Sequence, residues 1–279
     1  MSRRAEIEHR LRRLDEISDI MTAMKTLALI ETRKFNRFMG HQRRLIQSIE
    51  AATSDFLAFH PAFRSGVRQR EAESHVLILI GSERGFCGDF NEAIMAALAA
   101  LPPIRPRLVV VGRRLASKLQ ARRDLEAWLD GPNVAEEVRA VLNELMTTLH
   151  RLWAESAQWK RLSVLSHDSE GGVASHVLLP IMPAEEPVFA YPPRLNLDPA
   201  LFFAELTEHY LFAKLPGLFY ASLMAENRQR LEHMENALRR MDTKIQDLRR
   251  KSNALRQEEI VEEIEIILLS AESLLSNQI

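Results

Sequence analysis

Leu231-Glu-His-Met-Glu-Asn-Ala-Leu-Arg-Arg-Met-Asp-Thr-Lys-Ile-Gln-Asp-Leu248 places apolar residues at Leu231, Met234, Leu238, Met241, Ile245 and Leu248. The steps are three, four, three, four, three, the spacing of a coiled-coil seam. The stretch sits inside residues 218–279, which contain neither Gly nor Pro. At about 1.5 Å per residue this segment predicts a helix roughly 90 Å long. No small domain covers such a rod, so its apolar stripe needs a partner helix. The N-terminal segment supplies one. Ile7, Leu11, Leu14, Ile17, Met21, Met24 and Ala28 step by three or four, and Phe35, Phe38, Leu45, Ile49 and Phe56 extend the stripe. Gly40 is a soft point in it, costing about 1 kcal/mol relative to Ala. His60, Pro61 and Ser65-Gly66 end the helix.

Between the two helical ends the texture changes. Val76 to Ile80 and Leu108 to Val111 are continuous apolar runs, each followed by Gly, and read as strands buried on both faces. Arg161 to Ser166 and Val173 to Met182 are further strand candidates. Helical patterns lie between them at Asn91 to Leu101, Arg114 to Arg122 and Val134 to Trp159. Strands alternating with helices predict an α/β layer domain with a mostly parallel sheet. Ala184 to Pro199 is Pro-rich and reads as a connector; Leu201 to Leu215 is helical, and Pro216-Gly217 marks a kink or restart. The expected organisation is an N-terminal helix over 1–60, a globular foot over 75–200 and a C-terminal helical segment over 201–279. The coiled coil forms between 1–60 and 218–279. Both helices are tied to the foot at one end, so they pair antiparallel.

Composition narrows the function. Of 279 residues 46% are hydrophobic and 27% charged, with a net charge of −1. That balance recruits neither nucleic acid nor an anionic membrane. One cysteine, Cys87, excludes an intrachain disulfide framework. The first residues lack the apolar core of a signal peptide, and no apolar run reaches the roughly 20 residues of a transmembrane helix. Any membrane association is expected through partners. No metal-ligand spacing joins the nine histidines, and neither a metal nor a cofactor is expected. The best stretch for chemistry is Gly81-Ser-Glu-Arg-Gly-Phe-Cys-Gly-Asp-Phe-Asn91, directly after the first strand. A Gly-rich turn before a helix can cradle phosphate, but this one lacks both the dinucleotide and the Walker spacing. It reads first as a tight turn using Gly85 and Gly88 for backbone freedom, and Cys87 as a small buried thiol.

The far end of the chain has its own composition. Ile260, Val261, Ile264, Ile267, Leu268, Ala271, Leu274 and Leu275 share a broad arc, while Ile266 and Leu269 lie near the opposite side. A helix apolar on more than one face is buried by something. Seven basic residues lie between Arg239 and Arg256, and six glutamates with no basic residue lie between Glu258 and Glu272. These bands read as solvated faces or as bands matched to partners.

Three ordered motifs carry a resemblance. Near the start stand Ile7, Ile20, Ala23-Met24, Ala28 and Arg33-Lys34. In the middle stands Ser82-Glu-Arg-Gly-Phe-Cys-Gly-Asp-Phe-Asn91. Near the end stand Glu226, Arg230, Met234, Asn253, Arg256-Gln257, Ile260 and Glu263. Together they resemble the γ subunit of F-type ATP synthases over essentially the whole chain. Val261, Ile266, Met21 and Leu238-Arg239-Arg240-Met241 depart from the family pattern. The departures read as a divergent branch, that of the alternative N-type ATPases.

The resemblance implies two long terminal helices in an antiparallel coiled coil plus a Rossmann-like α/β domain. It implies a non-catalytic rotor shaft of a proton- or sodium-translocating ATPase, at the cytoplasmic face of a bacterial inner membrane. The shaft turns inside a ring of α and β subunits, and the foot sits on the ε subunit and the c-ring. By the same resemblance Arg256 and Gln257 contact a β subunit. The apolar tip of Ile260, Ile264, Ile267, Leu268 and Leu274 would then occupy the α/β sleeve. The residues alone also fit a coiled-coil scaffold, or an α/β nucleotide-binding enzyme with a coiled-coil arm.

Overall fold

Two helices carry the ends of the chain: α1 (Arg3–Phe59) and α5 (Pro199–Ser276), of 57 and 78 residues. The computed structural model describes residues 3–63, 75–102, 106–155, 161–181 and 191–276; for residues 36, 37, 39, 41, 43 and 269–276 only the backbone is described. The chain divides into two units, Met1–Leu27 with Glu232–Ile279, and Ala28–Leu231. Among the described residues no helix is long and apolar enough to cross a membrane.

The larger unit is built on five strands. They are β1 (His75–Ile80), β2 (Arg107–Val111), β3 (Leu125–Leu129), β4 (Arg161–His167) and β5 (Val173–Leu179), in the order β3-β2-β1-β4-β5. β1 pairs parallel with β2 and β4, and β2 with β3; only β5 runs antiparallel, on β4. The expected mostly parallel α/β architecture is therefore present. The apolar runs serve both faces. Val76, Ile78, Ile80, Val109, Val111 and Val164 point to a core shared with α4 (Val138–Glu155), α1 and α5. Leu77, Leu79, Leu108, Val110 and Leu165 point to a second core under α2 (Phe90–Ala99) and α3 (Arg113–Leu119).

Several elements differ from the sequence reading. β3 has no counterpart in it, because an edge strand alternating Leu125-Glu126-Ala127-Trp128-Leu129 shows no continuous apolar run. β5 stops at Leu179, and Met182 lies outside the described residues. The helix read from Val134 opens with a 3-10 turn (Ala135–Glu137), and α4 ends at Glu155; residues 156–160 lie outside the description. α1 runs through Gly40 unbroken, while Phe38 and Leu45 of its stripe are exposed. α5 does not restart at Pro216-Gly217 but continues through it. Its true start is Asp198, whose carboxylate accepts the N–H groups of Ala200 and Leu201 at 2.9 and 3.4 Å, with Pro199 in the first helical position.

In the smaller unit the two helix segments run antiparallel. Arg4 pairs with Glu259 at 2.9 Å, Asp15 with Arg249 at 3.5 Å and Lys25 with Glu235 at 2.6 Å, so numbers rise on one helix as they fall on the other. Between these pairs Met21, Met234, Ile245 and Leu248 are buried, and Ile7, Leu11, Leu14, Leu238 and Met241 are half-buried. Ile17 is turned outward, as expected of a long stripe drifting on a 3.6-residue helix. The ion pairs are exposed and solvent screens them; apolar burial does more.

At the N-terminal edge of the sheet His75 lies opposite Arg161. Burial, and secondarily the Arg161 charge, lowers the imidazole pKa to about 4. The unfolded chain takes up a proton near pH 6.5 that the folded chain refuses until about pH 4. Stability from this group is complete above pH 6.5 and declines as pH falls toward 4. The His75→Leu variant is expected to show a flatter fall of the urea midpoint across that window than the parent chain.

Candidate functional site

The loop leaving β1 stands at the point where strand order reverses, with β2 on one side and β4 on the other. In open α/β sheets this crevice, at the carboxyl ends of the strands, is where ligands bind. Here the chain fills it with its own groups. Gly81, Gly112 and Gly131 bring the backbone together. A Cβ on Gly81 would lie 2.3 Å from that of Leu115, and one on Gly112 (φ +111°) would lie 2.5 Å from the Gly81 carbonyl oxygen. The Glu83 carboxylate accepts the N–H groups of Arg113, at the start of α3, and of Gly131, each at 2.8 Å. The Arg113 guanidinium also lies 3.2 Å from Glu83. The Arg113 N–H at the start of α3 is thus bound by an internal carboxylate.

The Gly-rich turn is held in the same way. Asn91 accepts the Ser82 N–H at 3.0 Å through Oδ1 and donates to Ser82 Oγ at 2.8 Å through Nδ2. The Cys87 thiol is buried 3.4 Å from Ser82 Oγ and 3.7 Å from the Arg84 carbonyl oxygen, and burial pushes its pKa up. His167 stacks on Phe90 at 3.9 Å between ring centroids, and its two nitrogens meet the carbonyl oxygens of Phe90 and Gly171 at 2.9 and 3.0 Å. That histidine is a structural clasp, with each nitrogen beside a backbone carbonyl oxygen and its tautomer deciding which one it donates to. Of the two glycines expected to supply backbone freedom, Gly88 does so (φ +61°), but Gly85 does not. The other left-handed position is taken by Phe86 (φ +63°), whose ring is exposed. A bulky residue there is strained and persists only because its surroundings over-determine it.

α5 supplies the last restraint. Arg230 Nε donates to the Gly85 carbonyl oxygen at 3.3 Å, and Nη1 donates to Asn227 Oδ1 at 2.9 Å. Its remaining nitrogen is hydrogen-bonded to the Glu226 carboxylate, and both side chains are buried. Burial pushes the Glu226 carboxyl pKa up, against the pull of Arg230. Glu226 and Arg230 stand one turn apart, a spacing that in sequence looks like an ordinary surface pair; nothing local to the sequence marks it as buried. Ala225 of the same turn joins the core under α2 and α3. Among the described residues no cluster suited to a metal ion is present.

In the smaller unit Arg256 and Gln257 are exposed on α5. Beyond them Ile260 is 46% exposed, Ile264 51%, Ile267 65% and Leu268 59%; Leu274 lies outside the residues whose side chains are described. Leu231, in the larger unit, is half-buried. The basic residues from Arg239 to Arg256 are all exposed.

The α/β unit thus engages groups of its switch-point loop with its own side chains, and the far end of α5 leaves apolar side chains uncovered among the described residues. The family model described as ATP synthase matches residues 3–274. The ATP synthase gamma chain of Bdellovibrio bacteriovorus is 25% identical, over 91% of this chain and 93% of its own. That of Fusobacterium nucleatum is 22% identical, over 96% and 98%. In the solved structure of the rotor of Euglena gracilis mitochondrial ATP synthase, one chain matches with a TM-score of 0.60 at 14% identity, over 92% of this chain and 98% of that one. A second solved structure of the same enzyme, with OSCP, F1 and c-ring, gives a TM-score of 0.63 at 13% identity, over 99% and 95%. The chain belongs to the ATP synthase family, and the relatives it matches over nearly its whole length are gamma chains.

Arg230→Met leaves Glu226 buried without its cation and is expected to cost about 3–5 kcal/mol. Denaturant titration measures the loss. Alkylation of Cys87 by N-ethylmaleimide is expected to quicken at the same time, because the turn over the thiol loses its tie to α5.

Proposed function

We propose that this chain is the rotor shaft of its ATP synthase. The observation that carries the reading is the uncovered apolar end of α5. Ile260, Ile264, Ile267 and Leu268 are all about half exposed or more, on a helix whose exposed charge changes sign just before them. An apolar band of this size needs a sleeve. In this reading the sleeve is the ring of α and β subunits, and Arg256 and Gln257 reach a loop of one β subunit. The globular foot rests on the ε subunit and the c-ring, at the cytoplasmic face of a bacterial membrane. The foot meets the membrane only through that ring. The coupled ion is a proton or sodium.

The mechanism follows from the asymmetry of the shaft. The end of α5 is uneven around its axis: an apolar arc of Ile260, Ile264, Ile267 and Leu268 stands beside glutamates, and the basic residues form a band before them along the helix. Three β subunits of identical sequence therefore meet three different surfaces. A shaft that binds the open and closed states of β unequally biases each β by that difference, and with it the nucleotide affinity. Rotation passes the three biases round the ring. Torque reaches the sleeve only through a helix that does not unwind, and residues 218–279 without Gly or Pro fit that demand.

Isolation of the tagged chain from its source cell tests the reading. Catalytic ATPase subunits in threefold excess, together with a c-ring, are the expected company; a lone chain or homodimer, under conditions that keep ordinary ATP synthase whole, would sink it. In the reconstituted complex Arg256→Ala is expected to lower the ATPase rate or the assembly yield severalfold. Rate and yield equal to the parent would remove Arg256 from the β contact.

A further inference from the structure

α5 has one proline in its interior, Pro216, inside the larger unit. Pro216 has no N–H to give the carbonyl of Phe212, and its ring crowds that carbonyl. Gly217 follows, with the weakest helix preference of the non-proline residues. Two such residues in the middle of a long helix invite a bend, yet α5 stays helical through both.

α1 is packed against this turn. A Cβ on Gly217 would lie 3.3 Å from Ile46 Cδ1 and 3.8 Å from Gln42 Cγ, so a side chain here would press on α1. Gln42 Nε2 donates to the carbonyl oxygen of Ala213 at 2.6 Å. In a regular helix that carbonyl receives the N–H of Gly217, the first ladder bond past the gap. Ala213 is buried at 1% exposure, so water is a poor substitute for either donor. On each side of the gap α1 holds α5 again. Phe38 stacks on Tyr220, with 5.4 Å between centroids and 13° between planes, and Glu50 pairs with Lys214.

We propose that Pro216-Gly217 is a bending joint in α5 and that the Gln42 amide is its lock. The lock works through the carbonyl of Ala213. With Gln42 in place the buried acceptor keeps a partner even when the adjoining ladder bond stretches. Without it, each stretch leaves that acceptor unsatisfied and the turn opens. The stiffness of α5 at this point is then set by α1, and a displacement of α1 frees the joint. The inference stands whether or not the chain turns as a rotor.

Amide hydrogen exchange on the full chain tests it, read over residues 211–222 against β1. Loss of one buried hydrogen bond predicts about tenfold faster exchange of 211–222 in Gln42→Leu, with β1 unchanged. In a Pro216→Ala background, where the ladder is whole, Gln42→Leu is expected to change nothing. Equal acceleration in both backgrounds would make Gln42 an ordinary packing residue and overturn the joint. No acceleration with Pro216 present would overturn the lock. Should Gln42→Leu loosen β1 as well, Gln42→Asn, whose amide falls one methylene short of the carbonyl, is read by the same two criteria.

Discussion

An apolar helix face holds only where another surface takes it out of water, and the covering surface changes along both terminal helices. In the larger unit α5 lays Leu206, Tyr210, Leu211, Leu215, Phe219 and Leu223 onto the core beneath the sheet. In the smaller unit Met234, Ile245 and Leu248 are buried with a segment of α1 running the other way. Past Leu255 the apolar side chains continue but the cover does not. Each Leu, Ile or Phe fully buried contributes about 1.5–3 kcal/mol, far more than any of the exposed ion pairs beside them. Apolar cover, and not charge, therefore decides where these helices are held and where their apolar side chains stay in water.

α5 also reaches the loop at the sheet's switch point, through Arg230. A doubly covered parallel sheet carries a natural ligand site at its switch point, and this chain spends that geometry on internal structure. Glu83 takes the N–H groups at the start of α3 and at Gly131. Asn91, Ser82 and Cys87 interlock beneath the turn. Arg230, braced by Glu226 and Asn227, reaches across from α5 to Gly85. A cation and a carboxylate out of water are costly to install and costlier to separate. What they give is a fixed relation between α5 and the strained turn at Phe86. The Gly-rich stretch, which lacks the spacing of a phosphate loop, is a fastening between sheet and helix.

Much of this was legible in the sequence, and the failures have physical causes. β1 and β2 announced themselves as apolar runs because both faces are buried; β3 did not, because an edge strand buries fewer side chains and alternates Glu126 and Trp128 with its apolar positions. The seam from Leu231 to Leu248 was readable from spacing alone. Pro216-Gly217 reads as a kink or restart because local propensity says so; the helix does not restart there, and the packing of α1 against that turn is visible only in three dimensions. The turn reads as using Gly85 and Gly88 for backbone freedom; Gly88 supplies it, but the second left-handed position belongs to Phe86, since a network can hold a residue that propensity disfavours. Glu226 and Arg230 were picked out only through motif resemblance, because a buried pair and a surface pair share the same spacing.

Arg230 and Arg256 show why position matters more than residue type. Both stand on α5, and both belong to the same sequence motif. Arg230 is buried, and its guanidinium is committed to Glu226, Asn227 and Gly85. Its energy is contained within the fold, so a change there is read first as stability. Arg256 is exposed among other exposed cations, one turn before the apolar band begins. Its charge adds little to a fold in which it is solvated, and it gains value only where a partner removes the water around it. A side chain cheap in the free chain and strong in the assembly can act on a partner's equilibrium without weakening the shaft that carries it. In the proposed shaft the inner arginine would serve rigidity and the outer one contact, a division that suits a helix meant to carry force from one end and differential contacts from the other.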